Sequence, residues 1–190
     1  MNKVFYVDVE TTGLDPSFHD ILQLAFIIEI DGQIKAKHKF EIQPFNYERI
    51  DSKALTINKL TLAKIKKFEI PQKAYKRLIK TLDVFVDKYN KKDKFHPAGY
   101  NVRFDIDCLK EFFLKNGDKY YGSYFDYHLL DPITMLGLLE YKGLIKLESY
   151  KLKDVCNYFG IKIKAHDAME DIEATRELIQ KMLSYLKESE

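Results

Sequence analysis

The chain reads as a single α/β domain, a five-stranded mixed sheet of three antiparallel strands followed by parallel strands, flanked by helices. Three observations predict it. Three β-rich runs come first, later strands alternate with helical stretches, and no linker, repeat or low-complexity segment divides residues 1–190. A composition of 46% hydrophobic and 14% aromatic residues supplies a substantial core, so the domain should fold alone.

Lys3 to Val9 is a buried strand that ends in the turn Thr11-Thr12-Gly13. Ile21 to Ile30 is a second β-rich run, and Asp31-Gly32 is a hairpin signal into a third strand over Gln33 to Ile42. Short helical pieces follow over Asp51 to Leu60 and Thr61 to Phe68, and Pro71 opens a longer helix over Gln72 to Tyr89. Phe95 to Tyr100 reads as the fourth strand and Phe104 to Asn116 as a helix stopped by Gly117. Tyr127 to Asp131 is the expected fifth strand, and Pro132 starts a helix through Glu140. A short helix then carries Leu152, Val155, Cys156 and Phe159, and the last helix begins just after His166-Asp167.

The net charge of +2, from 31 basic and 29 acidic residues, does not by itself announce a nucleic-acid binder. Cys108 and Cys156 sit in apolar surroundings without a Cys-x-x-Cys spacing and read as reduced core thiols. No signal peptide is read at the start, and no apolar run approaches the roughly 18 residues of a membrane span. The expectation is a cytoplasmic protein with no membrane partner.

A strand places Asp8 and Glu10 on one face at its carboxyl end. Alone, the pair fits a solvated strand end as well as half of a metal site, and Asp105, at the start of the next helix, fits a dipole interaction more readily than a ligand. Ligands in open α/β sheets gather beyond the carboxyl ends of strands, so Asp105 can converge on the first pair. His166 and Asp171 stand at the entrance of the final helix, which must pack on the sheet. Together Asp8, Glu10, Asp105 and Asp171 offer four hard oxygen donors, which select Mg²⁺, with Mn²⁺ as a substitute, and can hold two ions. Two such ions suit phosphodiester cleavage, with His166 as general base.

Three segments carry a family resemblance: Asp8-Val9-Glu10-Thr11-Thr12-Gly13-Leu14, Asn101-x-x-Phe104-Asp105-x-x-x-Leu109 and His166-x-Ala168-x-x-Asp171. They resemble, in order, the three motifs of DEDDh-type 3′→5′ exonucleases, the superfamily of the proofreading subunit of bacterial DNA polymerase III. The resemblance implies a ribonuclease H-like fold and hydrolysis from the 3′ end of single-stranded or frayed DNA or RNA, releasing nucleoside 5′-monophosphates. It implies that Asp8, Glu10, Asp105 and Asp171 bind two divalent ions and that His166 deprotonates the attacking water. It also implies that Thr11, Thr12 and Gly13 face the terminal nucleotide, that Leu14 and Phe104 pack on bases, and that Asn101 braces the site. Lys162 and Lys164 are candidates for backbone phosphates.

Related proteins often carry a His-Gly pair where this chain has Asn58-Lys59, a departure that bears on substrate preference. A free-standing enzyme or a small separate subunit is expected, with a replicative polymerase or a second copy as partner. Two other classes stay open at this point: an accessory subunit that keeps the fold, which the intact acids disfavour, and a phosphoesterase of small nucleotides.

Overall fold

A computed structural model describes residues 2–163 and 168–187, with side chains as far as 184. Its centre is a mixed sheet of four strands in the order β3-β2-β1-β4, formed by β1 (Lys3–Thr11), β2 (Ile21–Ile30), β3 (Gln33–Glu41) and β4 (His96–Ala98). The pairings β1–β2 and β2–β3 are antiparallel, and β4 runs parallel to β1. The β2–β3 hairpin turns on Asp31 and Gly32, both in the left-handed region at φ 50° and 78°. That geometry matches the twist of the flanking strands, and the Asp-Gly dipeptide is suited to it.

The central position of β1 follows from its composition. Phe5, Val7 and Val9 face one core layer, and Val4 and Tyr6 face another, so both sides of the strand are covered. The first layer is shared with α3 (Pro71–Phe85) and α4 (Arg103–Lys115), through Leu78, Leu82, Leu109 and Phe113. Phe5 stacks on Phe26 at 4.9 Å between centroids and meets Phe125 edge-on at 5.0 Å. Truncating Phe5 to alanine is expected to cost about 3–5 kcal/mol in a denaturant titration. The second layer is covered by α7 (Ala168–Lys187), through Ala168, Ile172 and Ile179. The remaining helices are α1 (Ser52–Ile57), α2 (Leu62–Ile65), α5 (Pro132–Tyr141) and α6 (Leu152–Tyr158). Among the described residues no helix is long and apolar enough to cross a membrane.

Two expectations are corrected. Tyr127 to Asp131 is not a fifth strand; the segment around it makes only isolated parallel bridges, Phe95 with Phe125 and Ala98 with Leu130. Pro97 has no N–H to give to a ladder, and between the bridges the Asp126 carboxylate accepts the His128 N–H at 2.9 Å, turning the chain aside. The long helix ends at Phe85 instead of Tyr89, because Asp87 accepts the Tyr89 N–H at 3.0 Å and competes with helical bonding.

Candidate active site at the carboxyl end of the central strand

The alternation that sends Val9 into the core turns Asp8 and Glu10 toward the α7 face. Asp8 stands opposite Ala25, and Ala25 opposite Lys39, so one row across three strands carries an acid, a methyl group and a lysine. Beyond the last β1–β4 pair, Tyr6 with Ala98, the chain leaves the sheet through a close turn. A Cβ on Gly99 would lie 2.7 Å from the Val7 carbonyl oxygen, a backbone atom that cannot step aside. Gly99→Ala is therefore expected to lower the melting temperature by several degrees, each kcal/mol being about 2–4 °C in a domain of this size.

The turn then delivers Asp105. Asn101 adopts a left-handed conformation, φ 56°, which asparagine tolerates better than most residues. The Asn101 and Val102 N–H groups donate to the two carboxylate oxygens of Asp131 at 3.2 and 3.1 Å, and the same side chain accepts the Ile133 N–H at 3.0 Å as the cap of α5. Asp105, in the first turn of α4, is buried and accepts the Val9 N–H at 2.9 Å. That bond ties the second motif directly to the first. Asp131→Ala should cost about 1–3 kcal/mol through the lost cap and turn, and should slow hydrolysis by loosening Asp105, whereas Asp131→Asn retains part of both.

α7 brings the fourth acid. Ala168 and Ile172 pack on the sheet, and the flanking pairs Arg176 with Glu29 and Lys37 with Glu173 fix the helix along β2 and β3. Asp171 thereby enters the electrostatic neighbourhood of Asp8 and Glu10. Burial holds the Asp8 carboxyl well above its ordinary range, reinforced by Asp105, Glu10 and Asp171 and opposed by Lys39. Burial and then Asp171 raise Glu10, with Lys39 again opposing. Burial pushes Asp105 up to about 7 against the pull of the Val9 N–H. His166 and Lys164 lie outside the described residues; Lys162 is exposed.

The donor set fits divalent ions. Buried carboxylates that repel one another lack the positive charge that would make their ionised forms stable, and a hard cation supplies it. Among the described residues no group of three or more His, Cys, Asp or Glu side chains is close enough to close around an ion.

The turn after Glu10 is built largely from its own hydrogen bonds. Thr11 Oγ1 donates to the Gly13 carbonyl at 2.6 Å, and Thr12 is fully buried, its hydroxyl accepting the Asp20 N–H at 2.9 Å. Both hydroxyls thus shape the loop, and Leu14, 87% exposed, is the side chain the turn displays. A Cβ on Gly13 would fall 2.3 Å from the His19 ring, so only glycine lets that ring close over the turn. Asn58, the departure from the His-Gly pair, donates from Nδ2 to the Thr11 carbonyl at 2.9 Å, and the Asp51 N–H donates to the Thr12 carbonyl at 2.8 Å. Phe104 is half-buried against the main core. Sequence reasoning missed Asp131 and Lys39. The Asp-Pro pair at 131–132 signals a helix cap, and Lys39 becomes visible only once strand register is known.

A mixed sheet with acids gathered past the carboxyl end of its central strand is the arrangement that the resemblance to DEDD-type exonucleases implies. The exonuclease family model, of the RNase T type, matches residues 5–179, and the chain belongs to that family. No curated protein matches the sequence. Among solved structures, the chain is similar to E. coli exonuclease I in complex with a dT13 oligonucleotide, at 20% identity and a TM-score of 0.75, covering 100% of this chain and 43% of that one. A moderately thermophilic exonuclease I from Methylocaldum szegediense gives 20% identity and a TM-score of 0.77, covering 97% of this chain and 41% of that one. The chain thus spans about two-fifths of these proteins, and at such identity the likeness shows the shared fold.

Proposed function

We propose that the chain hydrolyses the terminal phosphodiester of single-stranded nucleic acid from the 3′ end, releasing nucleoside 5′-monophosphates. The observation that carries the reading is the cluster of Asp8, Glu10, Asp105 and Asp171, whose first three members are held above ordinary carboxylate pKa values by burial, reinforced at Asp8 and Glu10 by the neighbouring acids. Two divalent ions, Mg²⁺ or Mn²⁺, held by these four acids would lower the pKa of the attacking water and stabilise charge on the leaving oxygen. The residues of the chain do the rest. His166 accepts the proton of the attacking water, which requires a neutral imidazole. The turn from Thr11 to Leu14 seats the terminal nucleotide, with Leu14 presenting an uncovered aliphatic side chain to its base, and Asn101 braces the turn that carries Asp105. Lys39 offsets the acids' negative charge before the ions arrive, which limits their mutual repulsion.

The bound oligonucleotide of E. coli exonuclease I supports single-stranded DNA as substrate. Proofreading beside a replicative polymerase, or action as a homodimer, are the partner readings that accompany this function, in the cytoplasm. The test is a time course on 5′-labelled and 3′-labelled single strands of DNA and RNA with Mg²⁺ or EDTA. A ladder of shortening 5′-labelled products, with immediate loss of a 3′ label as mononucleotide, is expected with Mg²⁺ alone. Loss of the 5′ label first would contradict the polarity.

A further inference from the structure

Two segments far from the acids interleave lysine with tyrosine: Lys88-Tyr89-Asn90-Lys91-Lys92-Asp93-Lys94 and Asp118-Lys119-Tyr120-Tyr121. They meet around a depression of about 460 Å³ lined by Ile79, Lys88, Tyr89, Asp118, Tyr120 and Tyr124, among others. Tyr89 is 88% exposed and Tyr120 62% exposed, so two large planar side chains stand uncovered at one opening.

The walls behind them are fixed. Tyr124 Oη donates to Asp83 at 2.7 Å and Tyr75 Oη donates to Asp118 at 2.6 Å. Lys88 donates to Asp83 at 3.2 Å and lies 6.0 Å from the Tyr124 ring centroid. The Lys119 ammonium lies 5.6 Å from the Tyr120 ring centroid. The lysine loop is held by its own side chains, with Asp87 accepting the Tyr89 N–H and Asn90 the Lys92 N–H, both at 3.0 Å. Among the described residues Lys91, Lys92 and Lys119 form no ion pair, which leaves ammonium groups available to a polyanion. Exposed aromatic planes beside unpaired cations, on a pre-ordered surface, are the chemistry of single-strand binding: bases stack and phosphates meet lysines. A proline-rich peptide would use the tyrosines but not the ammonium groups.

We propose that this depression is a second nucleic-acid subsite, which takes bases of the single strand on the 5′ side of the end being hydrolysed, with Lys91, Lys92 and Lys119 on its phosphates. The inference rests on the function proposed above. It also sets a length requirement. Lys3, at the start of β1, is hydrogen-bonded to Asp93 in the lysine loop, whereas Asp8 lies five residues along the strand, about 17 Å at 3.3–3.4 Å per residue. At about 3.4 Å per stacked nucleotide, a straight stacked path of that length holds about five nucleotides. Long strands reach both, and very short ones reach only the acids.

The experiment is equilibrium binding of 5′-fluorescein-labelled oligo(dT), of about 30 and about three nucleotides, followed by anisotropy with Ca²⁺ in place of Mg²⁺. The wild type is compared with the Tyr89→Ala/Tyr120→Ala double variant and with Lys91→Glu/Lys92→Glu. Both variants change exposed side chains, so the fold is retained. The expected result is that either variant binds the long strand at least about tenfold more weakly and leaves the trinucleotide unchanged, and that the charge variant also flattens the salt dependence. Unchanged affinity for the long strand, or equal losses on both lengths, would overturn the subsite. Hydrolysis with Mg²⁺ is read separately. A wild type that binds in the length-dependent, tyrosine-dependent way but hydrolyses nothing refutes the proposed activity and not the subsite.

Discussion

Asp8→Asn is expected to reduce hydrolysis by at least about 10²–10³-fold, the scale on which a preorganised charge-stabilising group contributes, while leaving the metal-free protein more stable than wild type. The two effects have one origin. Asp8 is half-buried beside three other acids and poorly solvated, so its charged form is disfavoured in the folded chain and its pKa lies above the unfolded value. A group with a raised folded pKa contributes stability that is fully present below the unfolded pKa, near 4, and is lost as pH rises through the folded one. Asp105 and Glu10 act in the same direction, with Asp105 titrating at about 7. Metal-free wild type should therefore melt at a higher temperature at pH 5.5 than at pH 8, and asparagine at position 8 should recover part of that difference at pH 8. A gain of at least about 3 °C corresponds to roughly 1 kcal/mol in a domain of this size. Thermal melts in EDTA at the two pH values check it, and a lower melting temperature for Asp8→Asn at pH 8 would mean that the acids are already compensated within the chain.

His166→Ala should reduce kcat by about 10²–10⁴-fold at neutral pH with little change in metal affinity, because the imidazole moves a proton and does not hold an ion in this account. The pH profile separates that role from a structural one. An ordinary imidazole titrates near 6.5, so wild-type activity should fall as pH drops through that region. The carboxylates do not supply this limb once ions are bound, since neighbouring positive charge keeps them ionised. With metal kept saturating at every pH, the variant's remaining activity should lose the acid limb and instead rise with hydroxide concentration. Near wild-type rates at neutral pH would show that another group takes the proton.

Much of the site was legible in the sequence because its parts are local patterns. Strand alternation put Asp8 and Glu10 on one face, the helix start after β4 carried Asp105, and the apolar spacing around Ile172 placed Asp171 on a helix that had to pack against the sheet. What escaped depended on distant partners. Lys39 joins the acids only through the register of β3 on β2, and Asp131 matters through backbone N–H groups some 30 residues away. The Asn58 contact with the Thr11 carbonyl is another long-range choice that no periodicity reveals. The fifth strand failed for a related reason. Residues 127–131 carry the adjacent apolar pair Leu129-Leu130 ahead of Asp131 and Pro132, but a strand needs a neighbour with free N–H groups, and the short β4 offers Pro97 at its middle. The helix that ends at Phe85 shows the reverse case, where the side chain of Asp87 overrides a helical apolar pattern that continues through Val86.

If Asp8, Glu10, Asp105 and Asp171 hold divalent ions, metal uptake by the chain must depend on them. A calorimetric titration of Mn²⁺ into the metal-free protein at pH 8 tests it most directly, with Asp8→Asn as the comparison. Two ions are expected to bind per wild-type chain, with uptake that weakens as pH falls and the acids, whose folded forms favour the proton, become protonated. Asp8→Asn is expected to lose at least one of the two. No measurable uptake by the wild type, or the same uptake by both proteins, would contradict it.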